Sequence, residues 1–261
     1  ALGRMQSARA RNALISLLQP QAPLANAKVR AAAVEALGQY RHPDITPTLV
    51  RLADSDPSYK VEAAATRAIG TGRRIEAIDS VLANANKPSH SDRIRRAAAE
   101  ALGMLGDGRG VETCLALAAY GQPDRTRPTP VAALAQLADR GHRAEHLERF
   151  CRRLLSDPER RAQVAAIDAL GEMGAVASID ALGELSVQRR RRDLREGAKR
   201  AIEEIIADQA APDAVRLLRA RLGDLRERWE RLHRRMRLLE SELDISGDPD
   251  DDDAKDARGV G

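Results

Sequence analysis

The chain has 261 residues, of which 43% are hydrophobic but only 2% aromatic, and its net charge is +4. A core almost without aromatic rings is built from Ala, Leu, Ile and Val, which favours closely packed helices over a β-sheet, so we expect an all-α fold. No apolar stretch reaches about 18 residues, which excludes a membrane-spanning helix. The two cysteines, Cys114 and Cys151, do not suggest a disulfide framework and indicate a reducing compartment, so we expect a cytoplasmic location.

The word Ala-Leu-Gly, or a close variant, recurs along the chain and marks an internal repeat. By subtraction, its central residues are 32, 33, 32, 36 and 32 positions apart: Leu37, Ile69, Leu102, Leu134, Leu170 and Ile202. Around each centre, apolar residues fall at offsets −8, −5, −4, −1, 0 and +3, which is one face of an α-helix; in the first copy they are Val29, Ala32, Ala33, Ala36, Leu37 and Tyr40. After a short polar turn come the apolar segments 45–52, 75–82, 111–118, 147–155 and 179–185. Each repeat is therefore predicted to contain a first and a second helix.

Prolines modify this pattern at the starts of several first helices. In Asp56-Pro57 and Asp157-Pro158, we expect the aspartate to cap the next first helix and the proline to occupy its first position. In the fourth repeat, Pro128 and Pro130 replace the usual start of the first helix. Because proline disfavours a helical conformation in the residue before it, this helix is predicted to begin one turn late and to bend the stack.

The two ends of the chain depart from the repeat. Ala1-Leu2-Gly3 matches the repeated word 35 residues before Leu37, so we expect the chain to begin near the end of a first helix, as an N-terminally truncated solenoid over 1–207. Segment 247–261 carries six aspartates against one lysine and one arginine, a net charge of −4. A segment with so little to bury is predicted to be a disordered acidic tail.

Segment 212–244 is predicted to form one long helix with a coiled-coil pattern, because apolar residues step by three and four along 215–243. This seam either caps the last repeat or mediates self-association. In an antiparallel pair, two arginines near its start would face two glutamates near its end, so we expect antiparallel pairing if the helix dimerises. The candidate association surface comprises Leu222, Leu225, Trp229, Leu232, Met236 and Leu239.

Two polar features are candidates for chemistry. The run Arg189, Arg190, Arg191 and Arg192 is a candidate basic patch for phosphates or an acidic partner; a solvated turn and screening by the acidic tail are the alternatives. Segment 142–146, His-Arg-Ala-Glu-His, spells an inverted zinc-peptidase motif. It falls between two predicted helices, where polar residues are expected anyway, and we interpret the match as coincidental.

Six copies in register resemble HEAT or armadillo repeats, over residues 2–206. The resemblance implies an α-α superhelix of the HEAT solenoid type, a right-handed stack of helix pairs whose first helices line the concave side. Arg30, Arg95, Arg127 and Arg195 share the offset −7 from their repeat centres. Arginines so placed resemble the Asp–Arg ladder that stabilises HEAT proteins.

A second resemblance is to bacterial zinc aminopeptidases of the M1 family, in their C-terminal HEAT region. It is carried by segment 55–61 (SDPSYKV), segment 120–123 (YGQP) and the closing helix. Those enzymes bear G-A-M-E-N and H-E-x-x-H motifs on an upstream domain, and neither motif occurs in this chain. The resemblance therefore implies a domain that braces a catalytic domain, with no catalytic or metal-binding residue of its own.

These features predict a non-catalytic helical-repeat scaffold, the C-terminal region of a larger protein, which contacts an upstream domain or a separate protein partner. The first alternative is the accessory domain of an M1-family zinc aminopeptidase. The lesser alternative is a HEAT-like nucleic-acid binder, which the basic body favours but the scarcity of aromatic stacking residues disfavours. We expect no cofactor and no membrane contact.

Overall fold

The structure, a computed structural model, describes residues 8–19, 26–40, 42–188 and 191–210, together with Leu232, Arg235 and Met236. The chain divides into two compact units, Ala1–Ala210 and Ala211–Gly261. Within the described residues, the first unit contains six second helices, α1 (Ala8–Leu17), α3 (Ile45–Ser55), α5 (Ile78–Asn84), α7 (Gly110–Ala118), α9 (Ala144–Leu154) and α11 (Ile179–Ser186). The same residues include six first helices, α2 (Ala27–Gly38), α4 (Tyr59–Thr71), α6 (Arg93–Leu105), α8 (Pro128–Asp139), α10 (Arg160–Glu172) and α12 (Arg192–Ala210).

This alternation confirms the predicted all-α repeat. Every repeat centre lies in a first helix, and each predicted second helix is present within a few residues of its expected bounds. Two of the second helices, α5 and α11, are entered through short 3-10 turns, Ile75–Ala77 and Val176–Ser178. The periodicity of apolar residues sufficed to predict these helices because each helix buries one continuous face against its neighbours.

The first helices form the inner side of the stack. Each first helix packs closely on the next one along the chain, from α2 to α12. Successive second helices contact one another far less, because they mainly pack against the first helices on either side of them. Elements on the inside of a curve lie closer together than those on the outside. The first helices therefore line the concave surface of this unit.

The glycine of the repeated word marks the closest approach between successive first helices. A Cβ atom added to Gly70 would lie 2.6 Å from the Cα of Ala101 on the next first helix, which no real contact allows. Gly38 and Gly103 face the alanines of the following repeats at 3.0 and 2.9 Å in the same way. In Ala-Leu-Gly, the small residues alanine and glycine flank a larger apolar residue. Two helix backbones can therefore pack with little space between them.

The fourth first helix begins late, as Pro128 and Pro130 predict. Pro128 occupies the first position of α8, only 6 residues before the repeat centre at 134, whereas the other first helices begin 9 or 10 residues before theirs. A hydrogen-bonded turn replaces the missing helical turn, since the backbone amides of Thr126 and Arg127 both donate to the carbonyl of Pro123. The change in curvature that this late start predicts stays a prediction.

Two expectations at helix starts are wrong. Helix α4 begins at Tyr59 after Ser58, and α10 begins at Arg160, so neither proline occupies a first helical position. Asp56 and Asp157 do not cap these helices. Each carboxylate instead accepts the backbone amide two residues ahead, at 2.9 Å in both cases, and an arginine from the preceding repeat. In each case the arginine binds both carboxylate oxygens.

The predicted apolar face of the first repeat is also only partly buried. Ala33 and Leu37 are buried as expected, but Val29 is 43% exposed and Ala32 is exposed as well. The equivalent Val61 is fully buried, in a repeat with first helices on both sides. Among the described residues, α2 has a first helix on one side only, which leaves the far edge of its apolar face open.

Candidate protein-binding groove

Position −7 of the first helices forms a row of contacts between successive repeats. In four repeats its side chain bonds to a residue 25 to 30 positions later, in the loop before the next first helix or at its start. The pairs are Arg30–Asp56, Glu62–Lys87, Arg127–Asp157 and Gln163–Arg191. The donor is therefore the residue at position −7 in the first and fourth repeats, but the residue of the following segment in the second and fifth. These contacts tie each repeat to the next.

The arginines at offset −7 only partly fulfil the ladder that the resemblance implies. Arg30 and Arg127 bind an aspartate of the next repeat. Arg95 instead pairs with Asp92 of its own repeat at 3.2 Å, and Arg195 pairs with its neighbour Glu196. The third repeat still contacts the fourth through a different pair, because Asp92 accepts a hydrogen bond from Thr126 at 2.9 Å.

The Arg127–Asp157 pair is the most buried of these contacts. The guanidinium donates to both carboxylate oxygens, at 2.8 and 2.5 Å, and its Nε donates to the carbonyl of Ala118 at 3.0 Å. The Arg127 side chain is fully buried and that of Asp157 is 5% exposed. The guanidinium holds the pKa of the Asp157 carboxyl below its ordinary value. A buried, two-point pair fixes the starts of α8 and α10 relative to each other.

A groove of about 900 Å³ lies on the inner face of the third to fifth repeats, and we call it the inner groove. Residues of α6, α8 and α10 and the start of α12 line it. Its floor is formed by small or apolar side chains, Met104, Pro128, Ala132, Ala133, Val164 and Ala165. The late start of α8 helps to form the groove, because one helical turn is missing between the two longer helices α6 and α10.

Ala132 lines the inner groove at a position where the other first helices carry a charge. It stands at offset −2, where the other five first helices carry a charged side chain, Glu35, Arg67, Glu100, Asp168 and Arg200. In the preceding repeats, Arg67 and Glu100 bridge neighbouring first helices at this offset through an ion pair of 2.7 Å. Alanine at position 132 interrupts that row and leaves an exposed methyl group at the floor. The sequence contained this signal, but only comparison of equivalent positions across repeats reveals it.

The rim of the inner groove is acidic. Of its cationic side chains, Arg160 pairs with Asp193 at 2.7 Å and Arg161 with Asp124 at 3.4 Å. Burial, and then the charges of Asp139, Asp168 and Glu204, raises the pKa of Glu172. The groove therefore carries negative charge that its own arginines do not neutralise.

Six of the ten residues that the sequence proposed as sites fall outside the described residues. Leu222, Leu225, Trp229 and Leu239 are outside the described residues, whereas Leu232 and Met236 are helical and 72% and 47% exposed. Of the basic run, Arg189 and Arg190 are outside the described residues. Arg191 donates to Gln163 at 2.8 Å, and Arg192 is exposed at the start of α12. The association surface and the basic patch stay predictions.

The histidine motif does not form the geometry of a zinc site. His142 precedes α9, and its Nε2 hydrogen-bonds the carbonyl of Gly106 at 3.0 Å. Arg143, between it and the helix, has a left-handed conformation, so His142 and His146 do not share a helix face. No group of three potential metal ligands occurs in the parts of the chain that the structure describes. Burial raises the pKa of both Cys114 and Cys151 to about 12, which suits small core residues rather than nucleophiles.

Comparison with known families matches the repeats directly. The family described as HEAT repeats matches residues 1–70 and 22–103, and the PBS lyase HEAT-like repeat matches residues 94–124 and 162–188. No curated protein matches the chain. The fold and these matches define an α-helical repeat solenoid. More particularly, the chain is a HEAT/armadillo-like repeat protein.

Solved structures of similar fold are distant in sequence. The CpcE–CpcF complex of phycocyanin lyase from Nostoc sp. PCC7120 is 19% identical, with a TM-score of 0.49 over 78% of this chain and 86% of that chain. Human deoxyhypusine hydroxylase is 20% identical, with a TM-score of 0.41 over 79% and 77%. A designed armadillo repeat protein in complex with the peptide (KR)4 is 15% identical, with a TM-score of 0.45 over 78% and 98%.

The comparisons lend no support to the resemblance to M1-family aminopeptidases, since neither matching family is an aminopeptidase family. In the described part of the chain, no helix combines the length and apolarity needed to cross a membrane.

Proposed function

We propose that this chain is a non-catalytic protein-binding scaffold and that the inner groove holds a segment of its protein partner. The observation that carries this proposal is the groove itself, about 900 Å³ in volume and floored by small apolar side chains. Binding sites of this size, apolar with a few polar groups at the rim, are typical of specific ligand recognition. The partner segment belongs either to another part of the same polypeptide or to a separate protein.

The groove is also held in a fixed shape, which favours binding. The Arg127–Asp157 pair joins the starts of α8 and α10, and both side chains are almost fully buried. Beneath the floor, Leu134 and Leu170 are fully buried in the core. A preformed groove loses little conformational entropy when it takes up a segment, so more of the contact energy appears as affinity.

The test fills the groove without touching the core. Ala132 is exposed, so Ala132→Phe places a ring on the groove floor, and Ala32→Phe adds the same ring at an exposed position of α2 as a matched control. A phage-displayed library of random peptides is selected on the wild-type chain, and each clone is measured on both variants. We expect clones that bind the wild type and the Ala32→Phe variant but not the Ala132→Phe variant. Clones that bind all three proteins equally would contradict the proposal.

A further inference from the structure

The second helices form the outer surface of the first unit, and two positions on each of five of them face solvent. Buried residues that occupy equivalent places near the helix ends align these five helices: Leu52, Asn84, Leu117, Leu154 and Leu185. We call the residue five places before each of them position p and the residue one place before it position q. Position p holds Pro47, Asp79, Glu112, Arg149 and Asp180, and position q holds Arg51, Ala83, Ala116, Arg153 and Glu184; all ten are exposed.

Helix α9 differs from the other four because it carries arginine at both positions. Arg149 and Arg153 are four residues apart, so they project from the same side of the helix. The Nε of Arg149 donates to the carbonyl of Glu145 at 3.4 Å, and the guanidinium of Arg153 lies 5.8 Å from the centre of the Phe150 ring. Within the part of the chain that the structure describes, neither arginine forms an ion pair. Two cations therefore face solvent on α9.

An acidic groove lies on the same surface, between α3 and α5, and we call it the outer groove. Its volume is about 560 Å³, and three carboxylates line it, those of Asp54, Glu76 and Asp79. Asp54 accepts a hydrogen bond from the hydroxyl of Ser80 at 2.6 Å, and Glu76 accepts one from the hydroxyl of Thr46 at 3.0 Å. Hydroxyl groups are neutral donors, so the negative charge of these two carboxylates remains.

The cations near the outer groove bind other carboxylates more closely. Lys87 lines the groove, but its ammonium group binds Glu62 at 3.1 Å. Arg109 reaches Asp79 at only 3.5 Å and binds Asp107 at 3.1 Å. The side chain of Asp79 is 85% exposed, so its contact with Arg109 is weak. The outer groove therefore carries a net negative charge, opposite to that of α9.

Helix α7 lies between these two regions, and a twofold axis over its centre would bring them together in two copies of the chain. The second helices of a stack run in the same direction, so the axis sets α5 of one copy antiparallel to α9 of the other. Position p of one helix then faces position q of the other. Asp79 meets Arg153 of the second copy, and Arg149 of the second copy lies over Ala83, beside Asp54. By symmetry, each contact occurs twice.

The other charged side chains on these helices do not oppose this arrangement. Glu112 on α7 is bound by Arg143 of its own chain, and Arg152 on α9 is bound by Glu148. The axis also brings Glu145, at the start of α9, to the end of α5 that is farther from the acidic groove. The distribution of charge along the helices is therefore self-complementary.

We infer that the outer surface over α5, α7 and α9 is a dimer interface and that its partner is a second copy of this chain. Alanine at position q of α5 and α7 allows the facing helices to approach closely. Three helices of about ten residues, side by side, present a face of about 15 by 27 Å. A face of this size is at the lower limit for specific interfaces, so the dimer dissociates at micromolar concentrations. The inner groove is on the opposite side and stays open in this dimer.

Sedimentation velocity of the full chain from about 1 to 500 μM tests the inference. We expect a monomer–dimer equilibrium without larger species, because a twofold contact closes on itself. Raising the salt concentration should weaken the dimer, since its ion pairs lie at the surface. A chain that stays monomeric at the highest concentration, or one that forms open-ended oligomers, would overturn the inference.

Exchanging the charges separates this interface from any other route to self-association. The first variant is Asp54→Arg with Asp79→Arg, and the second is Arg149→Asp with Arg153→Asp. Either variant alone places like charges at both contacts, so its dimerisation constant should weaken at least about tenfold. When the two variants are mixed in equal amounts, both contacts are again attractive. The heterodimer should therefore form with about the wild-type affinity.

The matched control is Glu35→Arg with Glu184→Arg, which makes the same change of charge at exposed sites outside the three helices. It should dimerise as the wild type does, and circular dichroism checks that every variant keeps its fold. If the charge-exchange variants dimerise as tightly as the wild type, or if their mixture stays monomeric, the inference is wrong. Neither result bears on the inner groove, which the peptide selection with Ala132→Phe tests separately.

Discussion

The guanidinium of Arg127 and the carboxylate of Asp157, 30 residues apart, form a two-point ion pair that is almost fully buried between the fourth and fifth repeats. The same carboxylate accepts the backbone amide of Glu159 at 2.9 Å. One aspartate therefore both turns the chain into α10 and binds it to α8. This contact therefore holds together α8 and α10, two of the helices that line the inner groove.

Breaking this pair should destabilise the chain strongly. Arg127→Met leaves the Asp157 carboxylate buried without its partner, and loss of a buried pair costs about 3–5 kcal/mol. Arg30 also binds Asp56 at two points, through Nε and Nη2, but its side chain is 20% exposed, so Arg30→Met is expected to cost about 1–3 kcal/mol. Urea unfolding followed by circular dichroism measures both. Equal losses of unfolding free energy in the two variants would mean that burial does not control the strength of these contacts.

The Arg127–Asp157 pair also predicts a dependence of stability on pH. The arginine lowers the pKa of Asp157 in the folded chain below its ordinary value of 3.8, so the unfolded chain takes up this proton first as the pH falls. The stabilisation is therefore fully present above about pH 5 and is lost as the pH falls through the folded pKa. The difference in unfolding free energy between the wild type and Asp157→Asn should be constant from pH 7 to 5 and shrink towards pH 3. A difference that grows on acidification would exclude this contribution.

The second repeat carries its cross-repeat pair with reversed charge, since Glu62 on α4 binds Lys87 in the following loop at 3.1 Å. Glu62→Arg or Lys87→Asp alone places like charges opposite each other and should destabilise the chain. The double variant restores an attractive pair in the orientation of Arg30–Asp56. A double-mutant cycle should give a favourable coupling of about 0.5–2 kcal/mol, whereas strictly additive effects would show that the two side chains do not interact.

The glycine of the repeated word should not tolerate a methyl group. In Gly70→Ala the new Cβ lies 2.6 Å from the backbone of α6, and overpacking of about 1–3 kcal/mol exceeds the helix-propensity gain of about 1 kcal/mol. Gly183 on α11 is the matched control, because a Cβ there meets nothing within 4 Å. Gly183→Ala is expected to stabilise the chain by about 0.5–1 kcal/mol. The melting temperature, measured by thermal unfolding, should therefore fall for Gly70→Ala and rise for Gly183→Ala relative to the wild type.

Titration of Glu172 tests the electrostatics of the inner groove without any ligand. Carbon-detected NMR of its carboxyl group should give a pKa above the ordinary 4.5, and Asp168→Asn should move that pKa down towards 4.5. Because ionisation is costlier in the folded chain, Glu172→Gln should stabilise the protein at pH 7, and this gain should vanish below about pH 4. Glu184→Gln on α11 serves as the control and should leave the titration of Glu172 unchanged. A pKa at or below 4.5 would show that burial and the neighbouring carboxylates do not make ionisation of Glu172 costly.

Sequence alone determined the architecture, because each helix of a solenoid is specified by its own residues and its nearest neighbours. The centres from Leu37 to Ile202 placed all six first helices, and Pro128 with Pro130 placed the late start of α8. Helical periodicity and the fixed φ of proline are local properties, so they can be read along a single chain.

Only the tertiary structure decided which side chains meet between repeats. The sequence indicated an arginine ladder, yet Arg95 turned to its own repeat and Glu62 formed its contact with reversed charge. The groove at Ala132 likewise forms only because α6 and α10 lie on either side of α8. Such contacts join residues about 30 positions apart, and their partners are fixed by the spacing and tilt between helices, which no local pattern encodes.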